Sequence, residues 1–274
     1  MTMLYTKADQ NLVSPDFGAR PLSGLRGADS HLPVKGAKAQ GLPVTVLKSL
    51  ASRMLGIQEF RDVHERAAER GVSLPLGKRR CLRLQKIKTA QTLFIHVPKN
   101  AGTSISRLLY GESMRHESVR YYRHVARELF SDQIVRFAIW RDPVDRFLSA
   151  YDFARKGGTA EVKISPAFQK KHMALKNIDA ALDMLENAGS YYKLDHVFRP
   201  QSWYICDKYG AIDVDFLIDI SRMDKISASI PALVHQTIPV INKTDRRTFR
   251  VTDQQRARIL KFYASDEALR QHLA

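Results

Sequence analysis

Apolar residues come in short blocks along the last two thirds of the chain. Residues 93–97 form an apolar run with the length and character of a parallel strand buried on both faces. A turn of small and polar residues occupies 98–104, and Ile105, Leu108 and Leu109 then recur at helical spacing. Residues 134–140, IVRFAIW, repeat the strand pattern. Asp142 stands where an N-cap belongs and Pro143 at the first helical position. Val144, Phe147, Leu148 and Tyr151 then supply the i, i+3, i+4, i+7 stripe of an amphipathic helix. Residues 216–220 read as a third core strand. Strands alternating with helices in this way predict an α/β fold.

The remaining segments are less regular. Residues 1–43 carry Pro15, Pro21, Pro33 and Pro43 with little periodicity, and read as an arm. Residues 44–69 are expected to be helical, with Leu47, Leu50, Met54 and Ile57 on one face and Gly71 as the stop. Residues 78–88 are a basic run with alternating apolar residues. Two readings stand side by side: a contact for a polyanion, or a solvated face or Lys/Arg-protected edge strand. Residues 126–129 open a short helix, 156–176 look like an insertion or lid, and Ile178, Ala181, Leu182 and Leu185 form a helix capped by Asn177. Residues 225–234 are expected to be helical around Pro231. Thr252 and Gln255 make a capping box ahead of Ile259, Leu260, Phe262 and Tyr263. The chain thus divides into a basic, partly helical N-terminal extension, 1–90, and a second unit, 91–274.

Composition adds three constraints. No apolar run reaches the roughly 18 residues of a membrane span. A net charge of +16 favours anionic partners, but residues 1–90 hold 16 Lys/Arg against 7 Asp/Glu, so much of that charge lies away from the turn at 98–104. Cys81 and Cys206 are expected as free thiols, no Cys/His spacing suggests zinc, and a soluble, cytoplasmic protein is expected. Peripheral contact with a membrane surface is allowed by the charge, whereas the basic run lacks the aromatics that stack on single-stranded nucleic acid, and no specific nucleic-acid partner is expected.

Chemistry concentrates at the two strand ends. The turn at 98–104, leading into a helix, is an anion cradle: backbone N–H groups point outward at the positive end of the helix dipole. Lys99 adds a full charge, and Thr103 and Ser104 add hydroxyl donors. It is not a Walker A loop, in which Lys directly follows the last Gly; here Lys99 precedes Gly102 by three. Arg141 falls at the carboxyl end of the second strand, where open α/β sheets bind ligands, and its planar fork suits a phosphate. Ser149 lies two turns into the following helix.

HVPKNAGTS resembles the 5′-phosphosulfate loop of sulfotransferases that use 3′-phosphoadenosine-5′-phosphosulfate (PAPS), and WRDPVDRFLSAY resembles their 3′-phosphate motif. The closer likeness is to the carbohydrate (family 2) sulfotransferases, which HVFRPQS, DVDFLID and INKT also fit, from about residue 92 onward. The resemblance implies a P-loop NTPase-like three-layer fold, a central, mainly parallel sheet flanked by helices, with 91–274 as the sulfotransferase domain. It implies PAPS as sulfuryl donor and its bisphosphate (PAP) as product, no metal, and a saccharide or glycolipid hydroxyl as acceptor, which the charge allows to be anionic. Carried over by position, Lys99 contacts the 5′-phosphate and the oxygen bridging it to sulfur. Ala101, Gly102, Thr103 and Ser104 hold the phosphosulfate, and Arg141 and Ser149 the 3′-phosphate. Asn242 and Lys243 close over the nucleotide. Family members place a catalytic base between the two signatures; His124 is the first choice here and Glu128 the second. His96 is expected to position the loop, His196 to bind acceptor or pack, and Trp140 to stack on adenine or lie in the core. The alternative from another class is a nucleotide- or polyanion-binding protein without transferase activity.

Overall fold

A computed structural model describes residues 44–159, 162–234, 236 and 249–273. The expected arm, 1–43, lies outside them, as do Asn242 and Lys243. Three helices precede the sheet: α1 (Val44–Leu55), α2 (Val63–Glu69) and α3 (Lys78–Thr89). Strand β1 (Thr92–Ile95) leads to α4 (Gly102–Tyr110) and α5 (Val119–Val125), and β2 (Val135–Trp140) to α6 (Pro143–Arg155). Helices α7 (Pro166–Met173), α8 (Ile178–Glu186) and α9 (Gln201–Ile205) come before β3 (Phe216–Asp219). Helices α10 (Ile226–Ser229), α11 (Asp253–Phe262) and α12 (Ala264–Ala268) follow it.

The three strands pair in parallel in the order β1-β2-β3, with Thr92 opposite Val135 and Phe137 opposite Phe216. This is the α/β fold the apolar runs predict: a parallel sheet flanked by helices, consistent with the P-loop-like fold of sulfotransferases. Leu93, Ile95, Phe137, Ala138 and Ile139 are inaccessible to solvent, which is why these runs do not alternate. The local start signals act as read. Asp142 accepts from Val144 N and Asp145 N, Asn177 from Ala180 N, and Thr252 and Gln255 close their reciprocal box. Cys81 and Cys206 are free thiols. Among the described residues no helix is long and apolar enough to cross a membrane.

Four expectations need correction. The basic run 78–88 is not an edge strand but α3, which has a solvated face: Leu84 and Ile87 face the core, while Lys78, Arg79, Leu82 and Lys88 are exposed. The helix expected over 44–69 breaks at Gly56, whose φ of +67° lies in the left-handed region. Of the residues expected on its apolar face, Leu50 and Met54 are exposed, whereas Ile57, just past the break, is buried. Residues 156–176 are not a loose lid either, because Phe168 and His172 of α7 are buried in a second apolar cluster with α6, α8 and α11.

Finally, the helices before residue 90 are structurally integral. Ile57, Leu84 and Ile87 belong to the cluster that surrounds the sheet. From α2, the buried Glu65 carboxyl accepts Ser118 N at 2.5 Å and Ser118 Oγ at 2.8 Å, fixing the start of α5. Burial pushes the Glu65 carboxyl up to about 7 against the opposing pull of the Ser118 hydrogen bonds. A folded-state value above the unfolded one favours folding at low pH, and that contribution is lost as pH rises through about 7. Glu65→Gln should therefore match wild-type stability near pH 4, below both pKa values, and exceed it by about 3 kcal/mol at pH 8. Urea unfolding at the two pH values checks this; a variant weaker than wild type at pH 8 contradicts it.

Candidate active site

Because β1 and β2 are parallel neighbours, the turns leaving their carboxyl ends lie side by side. The link is direct: Arg141 Nη1 donates to the Lys99 carbonyl at 3.2 Å. Lys99 and Ala101 both have positive φ, +70° and +57°. A non-glycine residue pays strain there, of order 1–3 kcal/mol, and such strain persists only where the surroundings impose it. The turn delivers the chain to α4, whose N-cap, Ala101, offers no side-chain hydrogen bond. The contrast with α6, capped by Asp142, is informative: α4 starts without a capping side chain, which suits an incoming anion.

Gly102 is required for a different reason. A Cβ there would fall 1.9 Å from His96 Cδ2, so the helix start sits directly on the His96 ring. His96 Nδ1 donates to the Met114 carbonyl at 2.9 Å, which fixes the ring as a support for the turn. Burial holds its pKa down to about 4, so it is neutral at physiological pH. The positioning role expected for His96 fits this placement.

Lys99 has its ammonium 4.2 Å from the centroid of the Phe153 ring. Its pKa falls to about 8, chiefly through burial, then through the Arg141 charge, with Arg146 and Lys156 adding to it and Asp152 opposing. A cation destabilised in this way gains when an anion arrives. Arg146 is fully buried; its Nε donates to the Pro98 carbonyl at 3.2 Å and its Nη2 to the Val197 carbonyl at 3.3 Å, bracing the turn from behind. Ser149 is part-exposed on α6, the helix that follows Arg141.

Two residues without an evident role in the sequence set this geometry. Asn100 is inaccessible, and its Nδ2 donates to the Ile139 carbonyl at 2.7 Å and to Gln201 Oε1 at 2.6 Å. Gln201 Oε1 also accepts Arg141 N at 3.0 Å, and its Nε2 donates to the Arg141 carbonyl at 2.8 Å. One carboxamide thus joins the turn after β1 to the turn after β2. Asp266 holds it in place, accepting Gln201 N and Ser202 N at 2.8 Å each. Trp140 Nε1 donates to the Asp266 carbonyl at 3.0 Å; its indole is buried core, stacked under the Arg270 guanidinium.

The structure does not bring His124 or Glu128 to this site. Helix α5 begins at Ser118 and runs back toward the edge where the strands start. At that edge Arg123 pairs with Asp213 ahead of β3, and Glu128 pairs with Lys88 at 2.6 Å ahead of β1. His124 Nε2 lies 3.1 Å from Ser73 Oγ instead. The histidine beside the turn is His116. Its Nδ1 donates to the His96 carbonyl at 3.0 Å, and its ring meets His96 edge-on at 4.3 Å and His196 at 6.0 Å. The Nδ1 bond leaves Nε2 as the lone-pair nitrogen. Burial and the neighbouring His96 and His196 hold the ring well below its usual value, so it is neutral at pH 7.

His196 Nε2 meets Asp62 at 2.7 Å, and Arg199 Nη2 meets the other Asp62 oxygen at 2.5 Å. Glu59, Asp62 and His196 place possible metal-ligand atoms within 4.8 Å of one another. Arg199 and Arg61 already neutralise the two carboxylates, so the cluster's charge is met by guanidinium groups.

Two cationic turns thus lie at adjacent ends of a parallel sheet, and one of them opens a helix that has no capping side chain, an arrangement suited to an anion. Residues 87–273 match the model of the sulfotransferase family, more than half of the chain, and the protein belongs to that family. It is accordingly a transferase. Searches of curated proteins and of solved structures returned no match.

The Gln201 bridge yields a stability prediction. Gln201→Met keeps the volume but removes the acceptor for Asn100 and Arg141 N and the donor to the Arg141 carbonyl. Leaving buried groups unpaired costs about 1–3 kcal/mol each, so a loss of about 2–4 kcal/mol is expected in chemical denaturation. An unchanged midpoint contradicts the bridge.

Proposed function

We propose that the protein moves the sulfuryl group of PAPS to a hydroxyl of a saccharide or glycolipid acceptor by in-line transfer. The observation that supports this reading is the contact of Arg141 with the Lys99 turn, which brings two cationic turns side by side. A nucleotide with phosphates at both its 5′ and 3′ positions has matching charges. Ala101, Gly102, Thr103 and Ser104 are assigned the 5′-phosphosulfate, and Arg141 with Ser149 the 3′-phosphate. Asn242 and Lys243 are proposed to close over the nucleotide. The donor, when bound, supplies an activated S–O bond.

The chain's own groups then divide the work. Lys99 stabilises the electron pair left on the phosphate oxygen as that S–O bond breaks, and no protein atom changes oxidation state. Removing such a preorganised cation costs about 2.7–4 kcal/mol of barrier. His116 Nε2 receives the hydroxyl proton as the new S–O bond forms to the acceptor oxygen, in place of His124. The His96 carbonyl stabilises the imidazolium that results, through its bond to Nδ1. The exposed, unpaired thiol of Cys81 fits a reducing compartment, which supports a cytoplasmic location.

The proposal is tested by labelled-donor transfer assays and by calorimetry with PAP. Lys99→Ala should lower turnover by about 10²–10³-fold with the fold retained. His116→Gln should lower it by about 10²-fold or more, and His124→Gln should leave it close to wild type. PAP affinity should decline as pH rises through about 8, because the free Lys99 loses its proton there. Lys99→Arg should remove that decline. Wild-type turnover in Lys99→Ala, or equal binding of PAP and any other polyanion, overturns the reading in favour of a binding protein.

A further inference from the structure

Lys99 has no counter-charge of its own. Among the described residues no carboxylate lies within ion-pair distance of its ammonium, and Asp152, whose charge does reach it, is already paired with Lys156 at 2.5 Å. Three cations bear on it instead: Arg141, Arg146 and Lys156. The side chain is half-buried, so water makes up for this only in part. What the ammonium touches is a ring, with its nitrogen 4.2 Å from the centroid of Phe153. That lies well inside the roughly 6 Å reach of a cation–π contact.

The ring is fixed from both ends. Its side chain is buried in the apolar cluster that α6 shares with α7, α8 and α11. Its backbone carbonyl accepts Gly158 N at 2.9 Å, and Gly158 pairs with Lys163 in an antiparallel bridge. A ring face also differs from a carboxylate in what it leaves behind. The quadrupole attracts an ammonium without neutralising it, so the full charge remains for an incoming anion. A carboxylate in the same place would have to be displaced first.

We propose that Phe153 is a positioning residue for the transfer reaction, whose ring face holds the Lys99 ammonium in place and un-neutralised beside the Arg141 turn. The inference rests on the sulfotransferase reading given above and adds a residue to it. The ring touches no reacting atom and acts through Lys99 alone. Burial and the three neighbouring cations favour loss of the Lys99 proton. The ring face opposes them, because it attracts the charged form and not the neutral amine. Weakening the ring face at constant shape should therefore lower the Lys99 pKa and loosen the ammonium at the same time.

The test places mono-, di- and trifluorinated phenylalanine at position 153 alone, in the full chain. Fluorine withdraws charge from the ring face and nearly keeps its volume, so a role in packing alone would not follow the series. The Lys99 titration in the free protein is read from the pH dependence of trace acetylation by acetic anhydride, followed by peptide mass spectrometry. Its midpoint should lie at about 8 in wild type and fall stepwise with fluorine count, by about half to one pH unit at three fluorines. PAP affinity should then drop about two- to five-fold at pH 8 and stay within about two-fold of wild type at pH 6, where Lys99 is protonated throughout. Transfer at saturating PAPS should slow in the same order, by about three-fold or more at three fluorines. A midpoint that stays fixed or rises, or a transfer rate unmoved across the series, overturns the assignment. The acetylation readout needs no ligand and so separates the two readings. Failure of PAP to bind wild type removes the donor assignment, whereas a flat series in a protein that binds PAP removes the role of Phe153 only.

Discussion

A single buried carboxamide holds the site together. Lys99, Arg141 and Arg146 are like charges brought close in a partly desolvated place, and Lys99 registers the cost in its lowered pKa. Left to themselves the two turns would separate. Gln201 prevents this by accepting from Asn100 on one side and exchanging two hydrogen bonds with the Arg141 backbone on the other. Asp266, carried by α12 near the C-terminus, fixes Gln201 in turn. The repulsion is therefore built in during folding, before any ligand arrives, and an anion entering between the turns relieves it. This is electrostatic preorganisation in its usual sense.

The same economy appears around the turn itself. His96 fills the space that a side chain at 102 would occupy, and Arg146 secures the Pro98 and Val197 carbonyls. The strained backbone at Lys99 and Ala101 is thus imposed from three directions: by the ring beneath, the guanidinium behind and the carboxamide between the strands. The histidines form a second layer. His96 supports the turn and offers its carbonyl to His116, so the ring assigned as base is oriented by the residue that orients the cradle.

The local features of this fold were legible in the sequence. The apolar runs at 93–97 and 134–140, the Asp142-Pro143 start and the Thr252–Gln255 box each depend on neighbours within a few residues. What was not legible depends on distance along the chain. Asn100 meets Gln201 across about a hundred positions, and nothing in either residue's surroundings signals the pairing. His124, the first choice for the base, and His116 both lie between the two signatures. Only the direction of α5, running back toward the strand starts, tells them apart. The run 78–88 misled for a narrower reason. Leu82 and Leu84 alternate as in a strand, whereas Leu84 and Ile87 stand at the helical spacing that α3 buries. In α1 the apolar stripe was genuine, but it faces solvent at Leu50 and Met54.

One nucleotide spanning both turns is the arrangement on which the assigned roles of Lys99 and Arg141 depend. A crystal structure of the protein with adenosine 3′,5′-bisphosphate measures this directly. It should place the 5′-phosphate against the Lys99 ammonium and the backbone N–H groups of residues 101–104, and the 3′-phosphate against Arg141 and Ser149. Density for the nucleotide at another surface, or with both phosphates away from these two turns, would contradict it.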